Sequence, residues 1–309
     1  MSKRYPSTRS WRLPHIVGSV RIGLWASLLL VTSLIFLYPT DWYYQYAPVD
    51  SIYVFPNLAL FGTLYYIWMI ILLLLLFSQR KQECNHWENL VLIGIFALGF
   101  SGYWAFLTHG YFGEWYVQAA GAEYIVEQGH IPWKHPSLGS SEFPSMIILL
   151  AAVCDITSLE TFDAITMILL LGTILFSCLV YITFSNVFQS PHLASFATLL
   201  LLIGNKTLTQ YLPQYHPRGF TLLLFVAFLA LITEYKYEVF KTWPHKLIVV
   251  ILLLAITTTH FITSVCLFLV MLGIYIVQKF SKSRLTKVTV VSLCLALTLA
   301  WQAFFPISA

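Results

Sequence analysis

Apolar runs close to the ~20 residues that a helix needs to cross a bilayer recur along this chain, and they leave few alternatives for its fold. They occupy 21–37, 58–77, 90–107, 165–184, 220–232, 261–277 and 288–304, with shorter ones at 146–153, 193–203 and 247–256. Of the 309 residues, 59% are hydrophobic and 10% charged, where an average soluble domain has roughly 25% charged residues. The pattern predicts an all-α polytopic membrane protein of about nine or ten hydrophobic segments, a single transmembrane domain over 1–309 with the lipid bilayer as its partner.

Charge between the runs gives each connector a side. Lys3, Arg4, Arg9 and Arg12 precede the first run, Arg80 and Lys81 follow the second, and Lys236, Lys241, Lys246, Lys279, Lys282, Arg284 and Lys287 flank the later ones. Positive charge is retained in the cytoplasm. The N-terminus is therefore expected inside, with the first run a retained signal anchor, in a multi-pass protein of the plasma membrane. The net charge of +4 is spread over these short clusters, so it carries topology and implies no nucleic-acid partner.

Two polar interruptions stand apart, 108–144 and 204–218, and both are expected as extracytoplasmic loops. The first carries Glu114, Glu123, Glu127 and Glu142, with His130 and His135, against a single lysine, Lys134. No proline falls between Glu114 and Gln128, and Trp115, Ala119, Ala122 and Val126 recur at spacings of three and four. That spacing predicts a short helix lying in the membrane interface, ended by Gly129 and followed by extended residues around Pro132 and Pro136. The runs between the two loops number three, although the loops must share a side. Either 146–153 or 193–203 is thus expected to be re-entrant, since at about 1.5 Å per residue neither covers a ~30 Å core.

The polar side chains suggest chemistry, each with a plainer alternative. Glu114, beside Gly113 and Trp115 at a membrane surface, suits a general base or a ligand for a divalent metal such as Mg or Mn. It equally suits an exposed acid at a helix start. His109, His130, His135 and His216 add imidazoles on the same side, a workable metal set beside a carboxylate but without compact H-x-x-x-H spacing. Arg218, after His216-Pro217, suits a phosphate held through paired N–H donors, or an interface anchor that snorkels; Lys206 is a weaker version of the same idea. Trp115, Tyr116, Tyr124, Trp133, Tyr211 and Tyr215 fit an aromatic belt or faces for sugar rings. Thr257-Thr258-Thr259-His260 reads as a helix end whose hydroxyls bond back to the preceding turn, and Asp155, Glu160 and Asp163 as solvated loop acids. Cys84, Cys154, Cys178, Cys266 and Cys294 are scattered packing residues that imply neither a disulfide framework nor a zinc site. No phosphate-binding loop, nucleophile elbow or H-E-x-x-H motif occurs.

Taken together, the N-terminal anchor, Gly113-Glu114-Trp115-Tyr116, the segment from Ala122-Glu123-Tyr124 to Gly129-His130-Ile131-Pro132, and Ser141-Glu142-Phe143-Pro144 entering an apolar run resemble the GT-C superfamily. The later Tyr211-Leu212-Pro213-Gln214-Tyr215-His216-Pro217-Arg218-Gly219 is similar to that superfamily's second external loop. The resemblance covers 110–264, and it is one of arrangement more than of an invariant motif. It implies an integral-membrane glycosyltransferase, of oligosaccharyltransferase or mannosyltransferase type, that takes its sugar from a polyprenyl-phosphate-linked donor. Glu114 would be the catalytic base that activates an acceptor hydroxyl or amide, or the ligand of an assisting metal, standing where the superfamily usually has aspartate, one methylene shorter. Arg218, His216, Lys206, Tyr116 and Trp115 would contact substrate, and His109 and His130 would be metal ligands. The chain would be a short or truncated member, without the extracytoplasmic C-terminal domain that many members carry.

Two other classes fit the same composition. A permease or flippase needs charge buried in its spans, and 58–77 and 288–304 hold none. A non-catalytic membrane scaffold needs no site at all.

Overall fold

The computed structural model describes residues 19–37, 58–77, 86–107, 113–130, 145–204, 217–235, 242–280 and 288–304, with side chains left out at several helix ends. Eleven helices and no strands occur among them. They are α1 (Ser19–Leu37), α2 (Leu58–Phe77), α3 (His86–Leu107), α4 (Gly113–Gln128), α5 (Ser145–Thr157), α6 (Thr161–Phe188), α7 (Pro191–Gly204), α8 (Pro217–Tyr235), α9 (Trp243–Thr259), α10 (Phe261–Phe280) and α11 (Val288–Phe304). The chain divides into two compact units, Met1–Gly99 and Phe100–Ala309.

In the first unit α1 packs on α2. Trp25 Nε1 donates to Glu88 Oε1 at 3.3 Å, so α1 and α3 begin at the same end, which is also where the basic residues before α1 and between α2 and α3 attach. Leu72, Leu75, Leu92, Ile93 and Phe96 are buried. Gly99 lies against the face of Trp68, where a Cβ would overlap the indole ring. The glycine is needed there for close approach, not for backbone freedom.

The second unit is built around α6, which at 28 residues runs about 42 Å. Gln189 adopts a left-handed conformation (φ 53°) and its N–H bonds Ser185 O at 3.0 Å, ending α6 and turning the chain into α7, which packs back along it. α8 also packs along α6, in the same direction. Gly172 of α6 faces Leu223 of α8, and Phe220 packs on the cluster that includes Ala164, Ile165 and Leu169. From α8 onward the helices alternate. Phe228, Ile232, Leu253, Ile256, Leu267, Met271, Val291 and Cys294 of α8 to α11 close one apolar core. Thr298 of α11 donates to Ser264 of α10 at 3.3 Å inside it.

This alternation gives the unit two ends. At one lie the starts of α6, α8 and α10 and the end of α9. At the other lie the α6–α7 turn, the ends of α8 and α10 and the starts of α9 and α11; in sequence, Lys236 and Lys241 fall between α8 and α9, and Lys282, Arg284 and Lys287 between α10 and α11. Lys279 sits at this second end, its Nζ 5.1 Å from the Tyr275 ring centre.

Most sequence boundaries agree with the helices; α2 and α11 occupy 58–77 and 288–304. Two expectations need correction. The acids read as loop residues are mostly helical: Asp155 is in α5 and Asp163 in the first turn of α6, while Glu160 stands at the α6 N-cap without a side-chain capping bond. The packed face of α4 is also rotated from the expected stripe. Gln118, Ala119, Gly121 and Ala122 are buried and Ile125 packs beside them, while Val126 is 49% exposed. That face meets Met146, Ile147 and Leu150 of α5, and Gly121 in particular lets Ile147 come close.

Apolar side chains also cover the outside. Leu171, Leu175, Leu193, Leu200, Ile262 and Leu269 are all more than half exposed. Among the described residues, Thr161–Phe188 and Ile262–Phe280 are long and apolar enough to span a membrane by length and composition.

Candidate functional site

The end of the second unit that holds the starts of α6, α8 and α10 carries Arg218 and α4, the described part of the sequence-predicted site. α4 docks here through its small-residue face: Ala119 and Ala122 pack into the cluster that contains Met146, Ile147, Ala164 and Ile165. Thr161 Oγ1, in the first turn of α6, donates to Glu123 Oε1 of α4 at 2.9 Å. Cys154 of α5 adjoins both. Burial pushes its thiol pKa up, the Glu123 charge adds to that, and a hydrogen bond with Thr161 opposes it.

This three-way contact fixes the course of α5. Its C-terminal end returns to the α6 start, where α4 already sits, and the three residues 158–160 complete the turn. Ser158 is left-handed (φ 56°) and its N–H bonds Cys154 O at 2.8 Å, which closes the helix. The segment between α4 and α6 therefore starts and finishes at one end of the unit.

Arg218 is the second residue of α8 and is exposed. Two residues on, Phe220 enters the same cluster as Ala119 and Ala122, so Arg218 belongs to the end that holds α4. Glu114 is the second residue of α4, in its first turn, followed by Trp115 and Tyr116; the side chains of these three lie outside the described residues.

His130 is placed differently from the metal-ligand expectation. It follows the far end of α4, which at 16 residues puts it about 24 Å along the helix from Glu114. Its Nδ1 lies 3.1 Å from Gln128 O and its Nε2 3.2 Å from Tyr124 Oη. A carbonyl only accepts, so Nδ1 carries the proton and Nε2 accepts from the tyrosine. The rings meet edge to face at 5.4 Å. With Gly129 (φ 69°) donating its N–H to Ile125 O, this is a helix C-cap. Among the described residues no group of three or more His, Cys, Asp or Glu side chains is placed to hold a metal ion. His109, His135, His216, Lys206, Trp133, Tyr211 and Tyr215 lie outside the described residues.

The hairpin end behaves as its sequence suggests. Thr257, Thr258 and Thr259 bond back to Leu253 O, Leu254 O and Ala255 O at 2.8, 2.9 and 2.6 Å. His260 breaks the helix in an extended conformation, and its Nδ1 accepts the Thr263 N–H at 3.3 Å, capping α10. The Glu123–Thr161–Cys154 contact was not legible in sequence, because its members come from three helices; only the nearness of Glu123 to the packed Ala122 hints at it.

Chemically, this end offers carboxylates at Glu123, Glu127, Asp155, Glu160 and Asp163 and a guanidinium at Arg218, all exposed on an otherwise apolar unit. Comparison with protein-family models, with curated proteins and with solved structures returns no match.

Proposed function

We propose that this chain is a GT-C-like membrane glycosyltransferase that moves a sugar from a polyprenyl-phosphate-linked donor on the extracytoplasmic face. The observation that carries the reading is the meeting of α4, the start of α6 and the start of α8 at the end of the unit opposite its lysine clusters. The described parts of the two polar stretches, α4 and Arg218, are thus at one end, which supports the shared side that the resemblance requires.

The outward-facing leucines and isoleucines support a lipid surround, since soluble monomers rarely expose contiguous apolar surface beyond a few hundred Å². With the lysine-rich end in the cytoplasm, the acids and Arg218 face outward. The hydrogen bond that holds the start of α6 beside α4 favours 145–157 as the re-entrant element and α7 as the crossing one. At 14 residues α7 runs about 21 Å.

In the reaction, an acceptor oxygen or nitrogen attacks the anomeric carbon of the donor sugar. Glu114 takes the proton from the attacking atom, the bond from that carbon to the phosphate oxygen breaks, and Arg218 stabilises the lipid phosphate as it leaves. Trp115 and Tyr116 offer ring faces to the sugar, and His216 and Lys206 add donors to the phosphate. A divalent ion, if one assists, would be held through Glu114.

The test is transfer from a radiolabelled polyprenyl-phosphate sugar to acceptors in purified membranes. Glu114→Gln is expected to lower turnover by about 10²–10⁴, and Arg218→Ala by about 10²–10³, with helicity and expression unchanged. Wild-type transfer by both variants would remove the assignment.

A further inference from the structure

We infer that the end of the α9–α10 hairpin farthest from its turn is a docking surface for an anionic phospholipid leaflet, held by Lys246, Lys279 and the exposed ring of Trp243. The inference rests on the membrane reading of the apolar exterior and not on sugar transfer.

The hairpin sets the level of each residue. α9 and α10 pack on one another with His260 between them, so residues equally distant from position 260 stand side by side. Trp243 lies 17 residues before it (260 − 243) and Val277 17 after it (277 − 260). At about 1.5 Å per residue both are roughly 25 Å from the turn, close to the ~30 Å depth of a hydrocarbon core. Trp243 is 73% exposed, Val277 65% and Phe280, the last residue of α10, 88%. Lys246 is exposed within a turn of Trp243, and Lys279 holds its Nζ 5.1 Å from the Tyr275 ring centre. Trp243 to Lys246 on one helix and Tyr275 to Lys279 on the other thus share a slice about 8 Å deep.

The two ammonium groups also finish facing stripes. Lys246, Val249, Leu253 and Ile256 follow one another at spacings of three and four along α9, and Leu267, Met271, Tyr275 and Lys279 at spacings of four along α10. Val249, Leu253, Ile256, Leu267 and Met271 lie in one apolar cluster, and Tyr275 packs against it. Lys246 and Lys279 therefore stand over the same end of the core.

The chemistry of the slice matches headgroup depth. Indole and phenol rings join an apolar body to a polar tip, and a lysine stem lies on apolar surface while its ammonium reaches phosphate. Leu247, Ile248, Ile251 and Ile276, on the hydrocarbon side, are exposed. Charge selects an anionic lipid over a zwitterionic one. After Glu238 the sequence holds no Asp or Glu, while Lys241, Lys246, Lys279, Lys282, Arg284 and Lys287 give a local +6 against +4 for the whole chain. Among the described residues the acid at this end is Glu234, in the last turn of α8. Glu123, Glu127, Asp155, Glu160 and Asp163 belong to the opposite end, so an anionic leaflet is attracted here and repelled there.

The test uses the purified full-length protein in phosphatidylcholine vesicles. Phosphatidylglycerol or phosphatidylcholine brominated near the headgroup is titrated in, bromine being a short-range quencher of tryptophan fluorescence. The difference between wild type and Trp243→Phe isolates the Trp243 signal. At low salt, half-quenching is expected at an about fivefold lower mole fraction of the brominated phosphatidylglycerol, the enrichment that one lysine gives near an anionic surface. In Lys246→Gln/Lys279→Gln, and in about 1 M salt where the Debye length is about 3 Å, the two lipids are expected to quench alike. Equal quenching by both lipids in the wild type, or an unchanged preference in the double variant, overturns the inference. So does a Trp243 that neither lipid quenches, which assigns the surface to a non-lipid partner such as an acidic protein. Quenching of the other tryptophans in that case leaves the membrane reading standing, whereas no quenching of any tryptophan removes both.

Discussion

At the residue scale, small side chains decide what packs. Gly99 admits the Trp68 ring, so Gly99→Ala is expected to destabilise the protein by about 1–3 kcal/mol, the usual range for overpacking. Thermal unfolding in detergent measures this, and Trp68→Ala in the same chain should make the added methyl harmless. Gly121 does related work against Ile147, and this is where sequence reading failed. Spacing alone favoured Trp115, Ala119, Ala122 and Val126 as the packed stripe. In a chain this apolar, lipid-like and protein-facing surfaces carry the same residues, so period fixes the helix but not its rotation. Ala119 and Ala122 were legible; Val126 was a miss that Ile125 corrects. The C-cap role of His130 was also hidden, because it depends on a tyrosine six residues away and on the tautomer that Gln128 O selects.

At the element scale, helix existence was readable and helix course was not. Charges bracket 58–77 and 288–304 sharply, and Gly129 marks the end of α4 in advance. The choice between 146–153 and 193–203 as the non-crossing run could not be made from length, because both are short. The proposal that 146–153 is that run rests instead on one hydrogen bond, Thr161 to Glu123, which holds the start of α6 beside α4. Single-cysteine labelling in intact cells tests the resulting path in a background without the five native cysteines. Ser158→Cys is expected to react with an impermeant maleimide from outside, and Ser190→Cys only after permeabilisation. The reverse pattern would make α5 the crossing helix and α7 the re-entrant one.

For the whole molecule, the described residues of the second unit are polarised: carboxylates and Arg218 at one end, and at the other the α6–α7 turn and the helix ends next to which the lysines fall in sequence. That polarity underlies the glycosyltransferase reading, which sugar transfer tests. The central proposal is that Glu114 and Arg218 act on one donor and so stand within a sugar phosphate's reach of each other. Cross-linking of Glu114→Cys with Arg218→Cys, in the cysteine-free background, by a bismaleimide of about 10 Å reach, the width of a small-ligand pocket, measures it most directly. The account predicts a link as efficient as that of the control pair Glu123→Cys with Thr161→Cys, whose parent side chains touch at 2.9 Å. A control that links while the 114–218 pair stays unlinked would contradict it.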